Sequence, residues 1–379
     1  MKLEDSRKII DEIDDEILKL FKKRIDTVYE VSEYKRANNL PILNSQRERD
    51  IISRVTEGMD DELAGYTKTL YTTIFDISRS YQQRQKGLSE ALAKEIDGAI
   101  LPVDTIFPKN AVVACQGIDG SNSQIACDKL FECPKIMYMN SFDAVFNAVD
   151  KGLCRYGILP IENSLHGSVV EVYDRMKQYN FHIVRSVKVK INHMLLAKPG
   201  VKLEDIKIIY SHEQAIAQCS EFIKSLSGVT VIPCENTAIA ARKVLEINKN
   251  EVAAISSLSC AELYNLGVVC DKIQNSENNY TRFICISKKL EIYPGANKIS
   301  LMFTIPHKPG SLYGMISKFS VLGVNMTKLE SRPLPERDFE FMFYVDFDAN
   351  INAKEIKNLI CSLEADPEFF VFLGNYSEL

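Results

Sequence analysis

Polar side chains recur through the first 85 residues at spacings that a helix would gather. Arg24 and Lys35 stand eleven apart, which at about 100° per residue returns to within about 20° of one face. Asn44 and Glu48 are one helical turn apart, as are Ser78 and Gln82, and Arg47 adjoins Glu48. Arginine, lysine and amide side chains can hold carboxylates through charge-assisted hydrogen bonds. They can equally form the solvated face of a helix, and spacing alone does not choose. Further along, Leu159-Pro160-Ile161-Glu162-Asn163-Ser164 and Tyr210-Ser211-His212-Glu213-Gln214 each follow an apolar run, with Gln218 one turn beyond Gln214. Asn278-Asn279-Tyr280-Thr281-Arg282-Phe283 leads into another. Ligands of α/β sheets bind beyond the carboxyl ends of strands, where such clusters would fall. Gly117-Ile118-Asp119-Gly120-Ser121 is a small-residue turn that would offer backbone N–H groups at a helix start.

Three stretches of different texture would carry these residues. Residues 1–88 read as helix throughout, with Ile9, Ile10, Ile13, Ile17, Leu20, Phe21, Ile25 and Val28 at helical spacing and no proline or glycine before Pro41. A helix over 5–37 would be about 50 Å long, too long for one small domain to cover, so an intertwined helical dimer is expected. A second helix is expected after Pro41 and a third over 61–85. Residues 89–108 read as a linker punctuated by Gly98, Pro102 and Pro108, with a short helix over 88–96. Residues 109–290 alternate apolar runs (111–115, 156–161, 207–210, 230–233, 253–256, 283–287) with amphipathic stretches, an α/β texture. Residues 298–379 read as strand, helix, strand, strand, helix, strand, the ferredoxin-like order. That order alone says nothing about function.

Composition narrows the possibilities. The net charge of −5 disfavours nucleic acid as a partner. No apolar run nears the roughly 20 residues that span a bilayer, and the charged start lacks the core of a signal peptide. A cytoplasmic protein is expected, with its ten cysteines as reduced thiols. No CxxC pair, GxGxxG or GxxxxGK[ST] occurs, so no metal or nucleotide cofactor is indicated.

The N-terminal stretch resembles the all-helical chorismate mutases over nearly all of residues 5–85. Arg7 through Asp14, then Arg24, Tyr34-Lys35, Asn44-Ser45-Gln46-Arg47-Glu48-Arg49, and Ser78 through Gln82 carry the likeness. The resemblance implies that Arg7 and Arg24 clamp carboxylates of chorismate and that Lys35 and Gln82 donate to its breaking ether oxygen. Glu48 would accept from the ring hydroxyl, with Asn44, Arg47 and Ser78 completing the polar shell. The rearrangement is concerted, so holding a compact conformer and stabilising the ether oxygen suffice. Arg7 does not share a face with Arg24 and would reach the partner subunit's site.

The span 111–287 resembles prephenate dehydratases. Gly117-x-x-Gly120-Ser121-x-Ser123, Gly157 through Ser164, Ser211-His212-x-Gln214-x-x-x-Gln218, Asn236-Thr237-Ala238, Ala261-Glu262-Leu263-Tyr264 and Asn279 through Phe283 carry it. It implies two α/β lobes like a periplasmic binding protein, with prephenate in the cleft between them. Thr281 would be the catalytic donor to the departing hydroxyl. Arg282 would bind a carboxylate, with Glu162, Asn163, Ser211 and Gln218 as further contacts. His166, His182, His193 and His307 are read as structural.

The C-terminal stretch resembles the ACT domains that follow prephenate dehydratases and bind phenylalanine. Glu330-Ser331-Arg332-Pro333 and Gly310-Ser311-Leu312 are the matching motifs. The resemblance implies an allosteric L-phenylalanine site on those residues, with inhibition by a population shift. The expected whole is a bifunctional enzyme of phenylalanine biosynthesis, working as a homodimer or homotetramer without a cofactor. A non-catalytic amino-acid sensor would need the Thr281 and Lys35 clusters to be inert. A mutase fused to a dehydrogenase would need the nucleotide fingerprint that is absent.

Overall fold

A computed structural model describes residues 3–85, 90–307, 310–334, 340–364 and 369–379. Leu88, Lys308, Pro309, Phe339 and Ala365, which fall within segments read above, lie outside the described residues.

The N-terminal unit is three helices, α1 (Leu3–Ala37), α2 (Ser45–Thr56) and α3 (Asp61–Gln85), with α1 and α2 both packed on α3. Glu4 and Asp5 begin α1 and Lys35 and Arg36 end it, matching the helix dipole. Ser32 is the sole buried residue of α1. Ile9, Ile10, Ile13, Ile17 and Leu20 stand exposed at 47–65%. Covering such side chains is worth roughly 1.5–3 kcal/mol each.

The segment read as a linker is not loose. It holds α4 (Glu90–Ala99), whose Leu92, Ile96 and Ala99 enter the core of the C-terminal unit beside Phe319 and Ile360. Phe107 packs with Phe131, Tyr156 and Tyr293 in the first lobe, beneath the Arg185 guanidinium 4.1 Å from its ring. Gly98 and the prolines mark real breaks, but the apolar residues around them have cores to enter.

The middle unit has two lobes. The first contains β1 (Val112–Gln116), α5 (Asn122–Leu130), β2 (Lys135–Met139), α6 (Phe142–Asp150), β3 (Tyr156–Asn163), β4 (Gly167–Ser168), α7 (Val170–Met176) and β5 (His182–Lys190). The chain then crosses to the second lobe: β6 (Met194–Ala197), β7 (Ile208–His212), α8 (Glu213–Gln218), α9 (Ser220–Ser225), β8 (Thr230–Cys234), α10 (Thr237–Ile247), β9 (Val252–Ser256), α11 (Leu258–Leu263) and β10 (Gly267–Cys270). It returns as β11 (Tyr280–Ser287), inserted antiparallel between β3 and β5. The second lobe has its own five-stranded sheet, in the order β10-β6-β9-β7-β8.

The C-terminal unit is β12 (Lys298–Thr304), α12 (Ser311–Val321), β13 (Asn325–Pro333), β14 (Phe341–Asp348), α13 (Lys354–Leu363) and β15 (Phe370–Glu378). Its strand order β13-β14-β12-β15 is ferredoxin-like. It is not a separate body. Ser377 and Glu378 of β15 pair in parallel with Arg185 and Ser186 of β5, joining both sheets into one of ten strands. One apolar core runs across the junction, with Met302, Met342, Tyr344 and Leu373 packed among Phe146, Ile161, Tyr173 and Ile284.

The close approach at this seam demands a glycine. Gly374 has φ +146, and a Cβ there would lie 2.3 Å from the Ile183 carbonyl oxygen. Gly374→Ala should therefore cost about 2–3 kcal/mol, through backbone strain and a forced separation of β15 from β5. Thermal denaturation should show the loss as a lowered melting temperature. An unshifted midpoint would mean that the seam is not closed in solution.

Candidate active sites

The first cluster forms where α1, α2 and α3 meet. Arg24 donates to the Ser78 hydroxyl, and Glu48 is gripped by Arg79, which also holds Asp76. Lys35 Nζ donates to the Ile42 carbonyl, 2.5 Å away, tying the end of α1 to the loop before α2. Burial lowers the Arg24 pKa from its ordinary value, and its guanidinium lies 6.0 Å from the centre of the Phe75 ring. Ser78 and Gln82 are buried on one face of α3. Gln82 Oε1 makes no hydrogen bond among the described residues, although it is buried. The amide can turn over to present its N–H groups.

Two residues expected here, Asn44 and Arg47, stand outside the cluster. Asn44 is the N-cap of α2, its Oδ1 accepting from Arg47 N at 3.0 Å. Capping engages the Oδ1 of this side chain and leaves its Nδ2 as the group that could meet a substrate. Arg47 is exposed, and so is Arg7, which was expected to serve the partner subunit's site. Arg79 was missed, since a cation next to Ser78 on a charged helix carries no signal of its own.

The second site is a cleft of about 400 Å³ between the lobes. Its walls include Gly117, Ser121 and Ser123 from the first lobe, and Gln214, Gln218 and Thr237 from the second. Asn163, His193, Thr281 and Phe283 complete its floor. Asn163 Nδ2 lies 3.0 Å from Thr281 Oγ1, 2.9 Å from Asn279 Oδ1 and 3.2 Å from the Tyr280 carbonyl. Because the amide donates to Thr281 Oγ1, the hydroxyl proton of Thr281 remains free to donate into the cleft. Asn163 Oδ1 is fixed by Leu165 N and His166 N at 3.0 and 3.1 Å.

Gln218 ties the lobes together. Its Oε1 accepts from His193 Nε2 at 2.7 Å and from Asn279 Nδ2 at 3.0 Å, while its Nε2 meets His166 Nδ1 at 3.1 Å. His193 and Asn279 sit on the two crossovers between lobes. His193, read as inert, therefore lines the site, and fully buried Asn279 anchors it. Burial lowers the His193 pKa, partly opposed by its bond to Gln218. A neutral Nε2–H ring is the form that donates to the Gln218 carbonyl.

Helix starts face the same space. Ser121 caps α5, Asn236 caps α10 with its Oδ1 2.8 Å from Ile239 N, and His212 caps α8. Gly120, at φ +84, lies so close to α11 that a Cβ would meet Cys260 Sγ at 2.8 Å. Cys260 Sγ reaches the Gly120 carbonyl at 3.3 Å, and Tyr264 donates to the Asp119 carbonyl at 3.1 Å, seating this turn against the second lobe. Among the described lining residues none is arginine or lysine. A neighbouring hollow of about 520 Å³ takes in Arg242 and Lys243, but no motif amide lines it.

Three expected cleft residues turn elsewhere. Strand alternation sends Arg282 to the face opposite Thr281 and Phe283. There it is buried against Asp346, 2.5 Å, and Tyr376, 2.7 Å, of the C-terminal unit. Its Nε lies 2.8 Å from Glu378 Oε2, in ion-pair contact but off the hydrogen-bond direction. Glu162 shares that face and binds Lys328 Nζ at 2.9 Å. A bulge opposite Arg282 and Phe283 turns Ile161 and Glu162 the same way. Ser211 is fully buried, and its hydroxyl donates to the Ile255 carbonyl at 2.8 Å.

A third, apolar pocket of about 410 Å³ opens at the start of α12, lined by Ile305, Pro306, His307, Ser311, Leu312, Phe341 and Phe343. Gly310, at φ +84, is the N-cap of α12. The Glu330–Pro333 run splits across its strand. Ser331 and Pro333 pair with Phe343 and Phe341 and so share the pocket's face. Glu330 instead accepts from the Ser168 hydroxyl at 2.6 Å, and Arg332 forks onto Asp174 at 3.1 and 3.2 Å. Those two therefore dock on the first lobe, not in the pocket.

Fold and cleft together define a two-lobed α/β enzyme with a hydroxyl–amide centre, flanked by a helical unit and a ferredoxin-like unit. The prephenate dehydratase family model matches residues 113–291, and the type II chorismate mutase model matches residues 6–83. Arogenate dehydratase/prephenate dehydratase 2 of Arabidopsis thaliana is 36% identical over 276 residues, which are 70% of this chain and 72% of that protein. The bifunctional chorismate mutase/prephenate dehydratase of Aquifex aeolicus is 29% identical over 378 residues, 99% and 97% of the two chains. The structure of prephenate dehydratase from Arthrobacter aurescens in complex with L-Phe superposes with a TM-score of 0.64 at 27% identity, covering 70% of this chain and 89% of that one. This chain belongs to the prephenate dehydratase family and carries a type II chorismate mutase unit ahead of it.

The buried histidines make stability depend on pH. Burial lowers the pKa of His193, and likewise of His182 and His212. As pH falls below about 6.5 the unfolded chain takes up protons that the folded chain refuses. The melting temperature should therefore decline between pH 7 and pH 5.5, and His193→Gln should flatten part of that decline. An unaltered slope in the variant would remove His193 from the account.

Proposed function

We propose that the chain is a bifunctional enzyme of phenylalanine biosynthesis, which rearranges chorismate to prephenate and converts prephenate to phenylpyruvate with loss of water and carbon dioxide. The observation that carries it is Thr281, its oxygen held 3.0 Å from Asn163 Nδ2 with its own proton free, facing a cleft sized for one small ring.

In the helical unit, Arg24 and Ser78 would receive a carboxylate, while Lys35 and Gln82 would donate to the ether oxygen. Glu48, oriented by Arg79, would accept from the ring hydroxyl. Charge on that oxygen grows only in the transition state, so donors fixed beforehand lower the barrier. The exposed apolar stripe of α1 supports an intertwined homodimer, through which Arg7 would complete the partner subunit's site. Neither reaction calls for a metal or organic cofactor, since one is pericyclic and the other is driven by aromatisation.

In the cleft, Thr281 would donate to the departing ring hydroxyl as a positioned donor. The substrate's two carboxylates would be met by N–H groups at the starts of α5 and α10 rather than by side-chain cations. That arrangement suits the chemistry. A salt bridge to the ring carboxylate would stabilise the ground state against loss of carbon dioxide.

The pocket at α12 would take L-phenylalanine, its ring against Phe341 and Phe343 and its carboxylate toward the N–H groups at Ser311 and Leu312. We assign this unit as an ACT-type regulatory domain. No described helix is long and apolar enough to cross a membrane, and the cytoplasm is the compartment we propose.

Chorismate supplied without any nicotinamide should yield phenylpyruvate. Lys35→Ala should abolish the mutase and spare the dehydratase, whereas Thr281→Ala should cut dehydratase turnover about 100-fold and spare the mutase. Undiminished turnover in either variant overturns that assignment. Saturating L-phenylalanine should slow the dehydratase and raise the melting temperature, and a null result in both would end the regulatory reading.

A further inference from the structure

Arg282 and Glu162 take no part in the cleft, yet each is one residue from a group that does. Arg282 follows Thr281 on β11, and Glu162 precedes Asn163 on β3. Thr281 and Asn163 face one another in register, as do Arg282 and Glu162. The paired strand ends thus present a hydroxyl and an amide to the cleft and a guanidinium and a carboxylate to the C-terminal unit.

The guanidinium is bound from several sides. Asp346 on β14 and Tyr376 and Glu378 on β15 surround it, at 2.5, 2.7 and 2.8 Å. Asp346 and Tyr376 are themselves fixed by the Ser300 hydroxyl at 2.5 and 2.7 Å. Burial would raise the Glu378 pKa, but Lys188, Arg282 and Lys298 outweigh it and hold it below the usual range, so Glu378 is an anion here. A second tether runs from Lys328 on β13 to Glu162, 2.9 Å, and to the Ser168 hydroxyl, 2.7 Å. Three strands of the C-terminal unit therefore grip the two strands that hold the Thr281–Asn163 pair.

We infer that Arg282 is a positioning residue for the dehydratase reaction, and that the C-terminal unit sets the geometry of Thr281 through the carboxylates of Asp346 and Glu378. A strand end is rigid across its own thickness, because successive side chains share one backbone. A tilt that lengthens the Arg282 contacts must also move the Thr281 oxygen relative to Asn163. The proposal rests on the dehydratase reading of the cleft and gives it a regulatory route. Phenylalanine bound at α12 would act on catalysis by changing how β13, β14 and β15 hold Arg282 and Glu162.

The test is steady-state kinetics on the full chain with prephenate, with mutase turnover in the same preparations as the check on folding. Asp346→Asn preserves shape and removes one charge. It should lower kcat of the dehydratase about tenfold or more, leave KM within about twofold, and leave the mutase unchanged. Arg282→Lys should recover part of the kcat lost in Arg282→Met. Lys328→Met cuts the second tether and should weaken inhibition by phenylalanine severalfold. It can be read even if Asp346→Asn fails to fold. A lowered melting temperature with unchanged kcat and unchanged phenylalanine response would make the network only a dock. A raised KM at constant kcat would return Arg282 to substrate binding, and either result overturns the proposal. Wild-type protein that ignores prephenate would refute the dehydratase reading itself.

Discussion

A guanidinium taken out of water must be answered by carboxylates, and here they come from another unit of the chain. Arg282 is 7% exposed and lies between Asp346 and Glu378. Removing one side of such a buried pair typically costs about 3–5 kcal/mol, because the remaining charge is stranded. The seam between the first lobe and the C-terminal unit is therefore fixed in register, not merely covered by apolar contact. The β5–β15 pairing, the shared core around Tyr344 and Ile284, and the glycine at Gly374 all follow from closing that seam.

On the other side of the same strands, the centre of the cleft is built from neutral amides and a hydroxyl, with Glu235 the one acidic side chain among the described lining residues. Asn163, Gln218 and Asn279 are amides that donate and accept at once, so they can bridge two lobes without a charge to desolvate. Their network reaches both crossovers, which makes the lobes' relative position part of the site. The helical unit is built differently, with Arg24 on Ser78 and Arg79 on Glu48 where its helices meet.

Much of the architecture is legible in the residues. Helical periodicity marks α1 and α3 closely, and Asn44, Ser121 and Asn236 are caps at true helix starts. The six apolar runs of the middle unit all became strands. Of the runs that escaped notice, His182–Lys190 mixes charges with β-branched side chains, and Met194–Ala197 is four residues without a β-branched one, too short to show a period. The helix α4 was expected over 88–96, but its docking was not. Its local breaks read as linker, while the core that receives Leu92 and Ile96 is assembled from residues about 200 or more positions away.

What sequence alone determined is which side chains are candidates: the Thr281, Asn163 and Gln218 motifs and the Arg24, Lys35 and Gln82 positions are one-dimensional facts. What only the tertiary structure decided is which way each of them faces. Strand alternation and a single bulge in β3 send Thr281 and Asn163 into the cleft and their neighbours Arg282 and Glu162 into the C-terminal unit. Crossover geometry brings His193 and Asn279 to Gln218 from far along the chain. A motif names neighbours in the chain, whereas β-structure separates neighbours onto opposite faces. The direction of a charge therefore depends on partners that no local pattern contains.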